Sequence, residues 1–101
     1  MAERRGTRRA ELALDCVLRR RTGSEISVRT VNVGPGGMCV TTQRPLAIDE
    51  ILDFDLPLAE AEHIDGRVRV LRQEGHGLYA LRFEGLLGAT RERLQAFTER
   101  D

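Results

Sequence analysis

The sequence lacks lysine and tryptophan, and it contains only three Phe and one Tyr. With so few rings, the core of this 101-residue chain must consist mainly of Val, Leu and Ile. Branched side chains pack well on the pleated surface of a sheet, so this composition favours strands. Proteins that bind single-stranded nucleic acid usually stack bases on aromatic rings, and the scarcity of rings therefore counts against that class.

Long apolar runs are also missing. No segment approaches the ~20 apolar residues of a membrane-spanning helix, so we expect no membrane insertion. The two cysteines, Cys16 and Cys39, each lie in an apolar run, and no signal-peptide pattern precedes them. We therefore expect two buried thiols in a cytoplasmic protein, and no disulfide. No CxxC pair or Cys/His cluster indicates zinc, and no metal is expected.

Catalytic patterns are absent as well. There is no nucleophile–base pair, no pair of carboxylates at catalytic spacing and no Walker-type loop, so we do not expect an enzyme. His63 and His76 have no Ser, Cys or carboxylate partner at a recognisable spacing. Four acidic residues are expected to form a solvated strand edge that discourages pairing with another sheet. These are Asp49, Glu50, Asp53 and Asp55.

The charge of the chain is balanced but unevenly distributed. All sixteen basic residues are arginines, and sixteen acidic residues bring the net charge to zero. Residues 1–37 carry a net charge of +4, and residues 38–101 carry −4. A basic nucleic-acid-binding protein has a different distribution, so neither DNA nor RNA is an expected partner. The pattern predicts a local anion site near the N-terminus, although a coding bias towards arginine also explains the absence of lysine.

Alternating apolar residues predict six short strands in one domain. The predicted strands cover residues 12–18, 26–32, 38–42, 51–56, 63–72 and 78–83. Pro57 is expected to end the fourth strand, and Gly66 is expected to mark a bulge in the fifth. Turn residues separate the strands at short intervals, which favours a small antiparallel barrel or a sandwich.

The apolar spacing becomes helical from residue 86 onwards. Leu87, Thr90, Leu94 and Phe97 share one face of a helix of roughly three turns. An amphipathic helix of this kind either covers an open end of the sheet or docks a partner protein.

Two stretches contain the residues that an anionic ligand requires. Residues 1–10 are basic and without periodicity, which is typical of a flexible arm, and they include Arg4, Arg5, Arg8 and Arg9. Residues 31–40 form a turn between two apolar runs, and this turn contains Asn32, Gly34, Pro35, Gly36 and Gly37. Glycine permits positive φ and close approach, and its backbone N–H can face an anion. We therefore expect the arm and the turn to meet around one anionic ligand.

In these stretches the sequence resembles the PilZ domain, a bacterial receptor module for cyclic di-GMP. Residues 3–9 are similar to the RxxxR arm of the family, which Arg5 and Arg9 match best. Residues 32–37 are similar to its (D/N)xSxxG turn, which is matched at Asn32 and Gly37. Residues 77–83 resemble its late strand from glycine to Arg-Phe, and the closing helix agrees too.

The resemblance covers nearly the whole chain and implies a mainly β fold. The implied domain is a small six-stranded antiparallel split β-barrel over residues 11–101, with a C-terminal α-helix at about residues 86–99. The flexible, arginine-rich arm of residues 1–10 precedes it. A monomer or weak dimer is expected.

The resemblance also implies a ligand and its contacts. The implied ligand residues for cyclic di-GMP are Arg4, Arg5, Arg9, Asn32, Gly34 and Gly37, with Arg8 and Gly36 as additional candidates. Guanidinium groups pair with phosphate, bind the O6/N7 edge of guanine and stack on bases, and an Asn oxygen can accept from guanine N1 and N2. An arginine directly before RxxxR accompanies a stacked pair of ligands in the family. Arg4 has that place, so two ligand molecules per domain are expected.

Binding is expected to order the arm and to signal to a protein effector of motility, surface behaviour or exopolysaccharide production. One residue departs from the family pattern, because Gly34 replaces the serine of the turn. The loss of one hydrogen bond to a charged group is worth about 1.5–3 kcal/mol, or roughly one to two decades in affinity. Two interpretations therefore stay open: a receptor with weakened binding, or a PilZ-like adaptor that binds protein and has lost the nucleotide.

Overall fold

Six strands and one helix follow one another along the chain. A computed structural model describes residues 11–59 and 62–98, so the predicted arm of residues 1–10 lies outside the described residues. The elements are β1 Asp15–Arg19, β2 Glu25–Val33, β3 Gly37–Thr41, β4 Ile51–Ala59, β5 Glu62–Gly75, β6 Leu78–Glu84 and α1 Gly88–Thr98. The strands close into an antiparallel barrel in the order β1-β2-β3-β6-β5-β4. This confirms the predicted barrel with a C-terminal helix and excludes the sandwich.

The alternating residues of the strands fill the barrel. Leu18, Val40, Leu56, Val68 and Val70 are fully buried, as expected for a core of branched aliphatic side chains. Two of the few rings, Phe54 and Phe83, pack together with their centroids 5.2 Å apart. Leu94 of α1 is also fully buried and belongs to the same core cluster. The helix therefore packs against the barrel, which agrees with its expected role as a cover.

Both cysteines, Cys16 and Cys39, are buried, as expected. Burial raises the pKa of Cys16 to about 12. Within residues 11–59 and 62–98, no helix is long and apolar enough to cross a membrane.

Two expectations for the strands were wrong. Pro57 does not end β4, which continues to Ala59 after a register shift beyond the proline. The bulges of β5 lie at residues 70–72 and 73–75, and Gly66 pairs regularly with Phe54. A Cβ at Gly66 would lie 3.2 Å from the Phe54 ring and 3.1 Å from Leu86, so close packing is the local reason for glycine.

The helix also differs from its prediction at its first turn. It begins at Gly88, two residues later than expected, and Leu87 is 74% exposed. Leu94 and Thr98 are the buried residues of α1, and Phe97 packs partly against the core. The apolar face of the helix is therefore narrower than the spacing indicated.

The predicted acidic strand edge does not exist, because closure of the barrel pairs β4 with both β1 and β5. Three of the four acids lie beside arginines instead, in the pairs Glu50–Arg20 at 2.8 Å, Asp53–Arg67 at 3.9 Å and Asp49–Arg69 at 4.0 Å, and Asp55 lies 3.7 Å from the Nε2 atom of His63. Closure protects this sheet more completely than charged edge residues would.

Gly37 is required by the contact between β3 and β6. A Cβ at this position would lie 2.1 Å from the carbonyl oxygen of Leu81, far inside van der Waals contact. Gly36, one residue earlier, has open space at the corresponding point. The fold therefore leaves no space for a side chain at position 37 but does leave space for one at position 36.

Gly37→Ala should lower the free energy of unfolding by about 1–3 kcal/mol, because the added methyl group forces the two strands apart. Urea unfolding measures the change. The matched control, Gly36→Ala, should stay within ~0.5 kcal/mol of the unmodified protein. Equal losses in both variants would show that the contact with Leu81 is not the reason for glycine at position 37.

Candidate ligand-binding site

A one-residue bulge in β2 determines where Asn32 lies. Thr30 pairs with Val40 but Asn32 pairs with Cys39, so the register with β3 slips by one residue at Val31. In a regular strand, Asn32 would share the inner face with Thr30. The bulge instead leaves Val31 41% exposed and turns the half-buried Asn32 to the outer face. The amide that the sequence selected is thus presented on the outside of the barrel.

The turn of residues 34–37 is closed by one backbone hydrogen bond within it and joined to β6 by another. The Gly34 N–H donates to the Gly37 carbonyl at 2.9 Å, and the Phe83 N–H of β6 donates to the Gly36 carbonyl at 2.9 Å. The amide of Gly34, which was expected to face the ligand, is therefore already in use. Gly36 is exposed and remains the accessible glycine of the turn.

Gly34, Gly36 and Gly37 do not adopt the left-handed backbone conformation that often requires glycine. Within the described part of the chain, positive φ occurs in glycine at Gly23, Gly77 and Gly85, all outside the turn. Gly37 has the close approach that was expected of these residues, and its neighbour there is β6, whereas Gly36 has open space.

Thr30 fastens the start of the barrel to β2, a role that the sequence analysis missed. The side chain is 2% exposed. Its hydroxyl accepts from the Leu14 N–H at 2.8 Å and donates to the Leu12 carbonyl at 2.5 Å. The Thr30 N–H donates to the Leu14 carbonyl at 2.9 Å. The sequence signal for this role was a hydroxyl-bearing residue at the inward-facing position of β2 that follows Ile26 and Val28.

The anchor at Thr30 limits how far the arm can be from the turn. Arg4, Arg5, Arg8 and Arg9 lie outside the described residues. Their distance from the barrel can therefore be bounded only by the length of chain that joins them to Leu12. Three extended residues span at most ~11 Å, which bounds the distance from Leu12 back to Arg9. Asn32 is two residues beyond Thr30, or roughly 7 Å along β2. The chain therefore enters the barrel close to Asn32.

Three charged side chains near the turn were not among the predicted ligand residues. Arg82 of β6 pairs directly with Gly37 of β3, and on its other side it pairs with Arg69 of β5. Glu84 accepts from Arg82 at 2.8 Å and from Arg69 at 3.0 Å, both through Oε2. These bonds from Arg82 and Arg69 hold the pKa of Glu84 below its usual value.

A groove opens at the opposite end of β2 and β3. Its walls are residues 25–29 and 41–45, together with parts of the turn between β5 and β6. It forms because the pairing of β2 with β3 ends at Arg29 and Thr41. None of the predicted ligand residues that the structure describes lines this groove. The candidate site is therefore the outer face near the turn, where Asn32 and the exposed Gly36 lie.

Metal ligands do not gather at this face or elsewhere in the described ranges. Residues 11–59 and 62–98 contain no group of three or more His, Cys, Asp or Glu that could hold a metal ion. The chemistry available at the site is hydrogen bonding and charge pairing by an amide, backbone groups and guanidiniums.

Comparison with protein-family models gives one match, to the PilZ domain, over residues 3–100. A search among curated proteins finds no significant match.

Several solved structures have the same fold. The Bacillus subtilis inhibitor of motility, MotI/DgrA, superposes with a TM-score of 0.79 at 20% identity, over 97% of this chain and 50% of its own. The PilZ domain of Escherichia coli YcgR with c-di-GMP superposes with a TM-score of 0.78 at 14% identity. The match covers 95% of this chain and 89% of the YcgR domain. The K. pneumonia MrkH–c-di-GMP complex superposes with a TM-score of 0.74 at 22% identity. The match covers 92% of this chain and 49% of MrkH. The chain thus spans about half the length of MotI/DgrA and MrkH.

Thr30→Val should remove both hydroxyl bonds and leave the Leu14 N–H and Leu12 carbonyl without this partner. We expect a loss of about 1–3 kcal/mol in the free energy of unfolding and faster hydrogen exchange at the Leu14 amide. Thr30→Ser, which keeps the hydroxyl, is the control and should preserve the slow exchange. Unchanged protection of Leu14 in Thr30→Val would contradict the anchoring role.

Proposed function

Because the chain belongs to the PilZ domain family, we propose that it is a receptor for cyclic di-GMP, with the ligand on the outer face of β2, β3 and β6. The observation that carries this proposal is the position of Asn32. The bulge turns it outward, two residues from the Thr30 anchor where the arginine-rich segment joins the barrel. The residues that follow the arginine-rich segment are therefore bound two positions along β2 from Asn32.

The ligand contacts follow from the chemistry of a cyclic dinucleotide. Arg5 and Arg9 pair with phosphate or bind the O6/N7 edge of guanine, and a guanidinium also stacks on a base. The Asn32 oxygen accepts from guanine N1 and N2 donors. Arg8 and the exposed N–H of Gly36 are additional contacts, and Arg4 directly before RxxxR favours a second, stacked ligand molecule.

Gly34 and Gly37 have a different part in this site. The Gly34 N–H already donates to Gly37, and Gly34 has no hydroxyl, so it contributes the shape of the turn and no hydrogen bond. Gly37 contributes a strand without a side chain beneath the ligand. We therefore propose binding that is weaker than a serine at position 34 would allow.

The output of the receptor is a change at the surface. Ligand binding draws the arm across the outer face, and the new surface is recognised by a protein effector of motility, surface behaviour or exopolysaccharide production. The fold shared with an inhibitor of motility and with two c-di-GMP complexes supports this class of output. The protein acts in the cytoplasm and catalyses no reaction in this scheme.

A second candidate function is an adaptor that binds a protein partner without a nucleotide. The observation that favours it is Gly34, which lacks the hydroxyl and has its amide engaged within the turn. A partner captured equally with and without cyclic di-GMP, together with no binding of the nucleotide, would support the adaptor.

Isothermal titration with cyclic di-GMP tests the receptor directly. We expect the unmodified chain to bind, and Arg5→Ala or Arg9→Ala to abolish binding, because each removes a charged contact to the ligand. Arg21→Ala is the matched control, since this exposed arginine lies in the turn at the other end of β2. No heat at high micromolar ligand from folded protein would reject the receptor, and unchanged binding by Arg9→Ala would show that the site is misplaced.

Gly34→Ser tests the departure from the family pattern. Gly34 is not among the positive-φ glycines, so its backbone conformation is one that serine can adopt, although the residue is buried. We expect affinity equal to that of the unmodified chain or tighter by up to about tenfold, since the hydroxyl adds one hydrogen bond. A folded Gly34→Ser variant that binds more weakly in the same titration would contradict this account of the turn.

A further inference from the structure

We infer that Arg82 is a further contact for a phosphate of the bound cyclic dinucleotide, and that Glu84 occupies this arginine until the ligand arrives. The inference rests on the proposed function and extends the site from the arm and the turn to β6. It assigns a ligand-binding role to a side chain on a strand, in contrast to the arginines that precede the barrel.

The register of the sheet places Arg82 at the turn. Leu81 and Phe83 face the core, so Arg82 points outward, and its direct neighbour on β3 is Gly37. Gly37 has no side chain and cannot acquire one, because Leu81 occupies the space of its Cβ. Gly37 is buried and places no side chain beside Arg82, so a ligand can reach the guanidinium through the Arg82 side chain itself, which is 54% exposed.

Arg82 and Asn32 lie on the same outer face at a separation that one ligand can bridge. β3 lies between their strands, and Gly37 is two residues from Cys39, the partner of Asn32. Two strand spacings and a two-residue offset place the two Cα atoms roughly 12 Å apart. A cyclic dinucleotide has two phosphates and two bases, so it can contact Asn32 with one base and Arg82 with a phosphate.

Arg82 and Arg69 are like charges directly opposite each other on adjacent strands, an arrangement that is unfavourable without an anion between them. Glu84 provides that anion, and a single oxygen, Oε2, accepts from both guanidiniums. Arg82 uses only Nη2 in this bond, so within the described residues its Nε and Nη1 have no partner. Arg69 also lies 4.0 Å from Asp49, so Arg69 has two acidic neighbours, whereas Arg82 shares Glu84 and keeps unused donors.

A phosphate oxygen can take the place of the Glu84 carboxylate. Both are anionic acceptors that guanidinium forks bind at similar distances, and phosphate accepts with more oxygens. Arg19 forms a similar ion pair with a glutamate, because its Nη2 donates to Glu25 at 3.1 Å. That pair lies beside the turn between β1 and β2, at the other end of β2 from Asn32. It therefore provides a control with the same chemistry and a different location.

Titration of cyclic di-GMP into four variants tests the inference. Arg82→Met should weaken binding by about tenfold, because a charged contact is lost. Glu84→Gln should tighten it by about two- to fivefold, because the internal anion no longer competes for Arg82. The controls Arg19→Met and Glu25→Gln should match the unmodified chain. The salt dependence of Kd should also weaken in Arg82→Met, since one charge pair with the ligand is gone.

The outcomes separate this inference from the proposed function. No binding by the unmodified chain rejects the receptor, and the role of Arg82 with it. Binding by the unmodified chain with unchanged Kd and salt dependence in Arg82→Met rejects the phosphate contact alone. Weaker binding in Glu84→Gln shows that Glu84 supports Arg82 and does not compete with the ligand. Because the two substitutions are expected to act in opposite directions, a general loss of folding cannot imitate the predicted result.

Discussion

The extra residue at Val31 decides which side of the barrel wall Asn32 faces. Without it, the amide would point into an aliphatic core, and Thr30 and Asn32 would lie on the same inner face. With it, Thr30 stays inside and holds residues 12 and 14, while Asn32 lies outside next to Cys39. One bulge thus separates an anchoring residue from a proposed ligand residue two positions away, and it keeps both at the place where the chain enters the barrel.

The close contact between β3 and β6 gives this face its second property. Because Gly37 lies against the Leu81 carbonyl, β3 has no side chain there, and the next side chain across the sheet is Arg82. Arg82, Arg69 and Glu84 form a charged group on the rigid wall beside the turn. The proposed site therefore has a part on the strands and a part supplied by the arginine-rich segment.

The sequence predicted the strands and the helix better than the register shifts between paired strands. Alternation of apolar residues is a direct consequence of burying one face of a strand, so all six strands and the closing helix were found. The register shifts at Val31, beyond Pro57 and in β5 were not, because a bulge changes pairing without a local signal in composition. The motif identified Asn32 and Gly37, but the face of Asn32, the engaged amide of Gly34 and the neighbour of Gly37 depend on pairing across strands. Arg82 was missed for the same reason, since its position at the turn follows only from the register of β6.

The central claim is that cyclic di-GMP binds the outer face at Asn32 and not the groove at the other end of β2. Mapping amide resonances of the chain during titration with the nucleotide tests it most directly. The account predicts that the Asn32 side-chain amide and the backbone N–H of Gly36 shift strongly, while residues 25–28 and 42–45 do not. Shifts concentrated in the groove, with Asn32 and Gly36 unchanged, would contradict it.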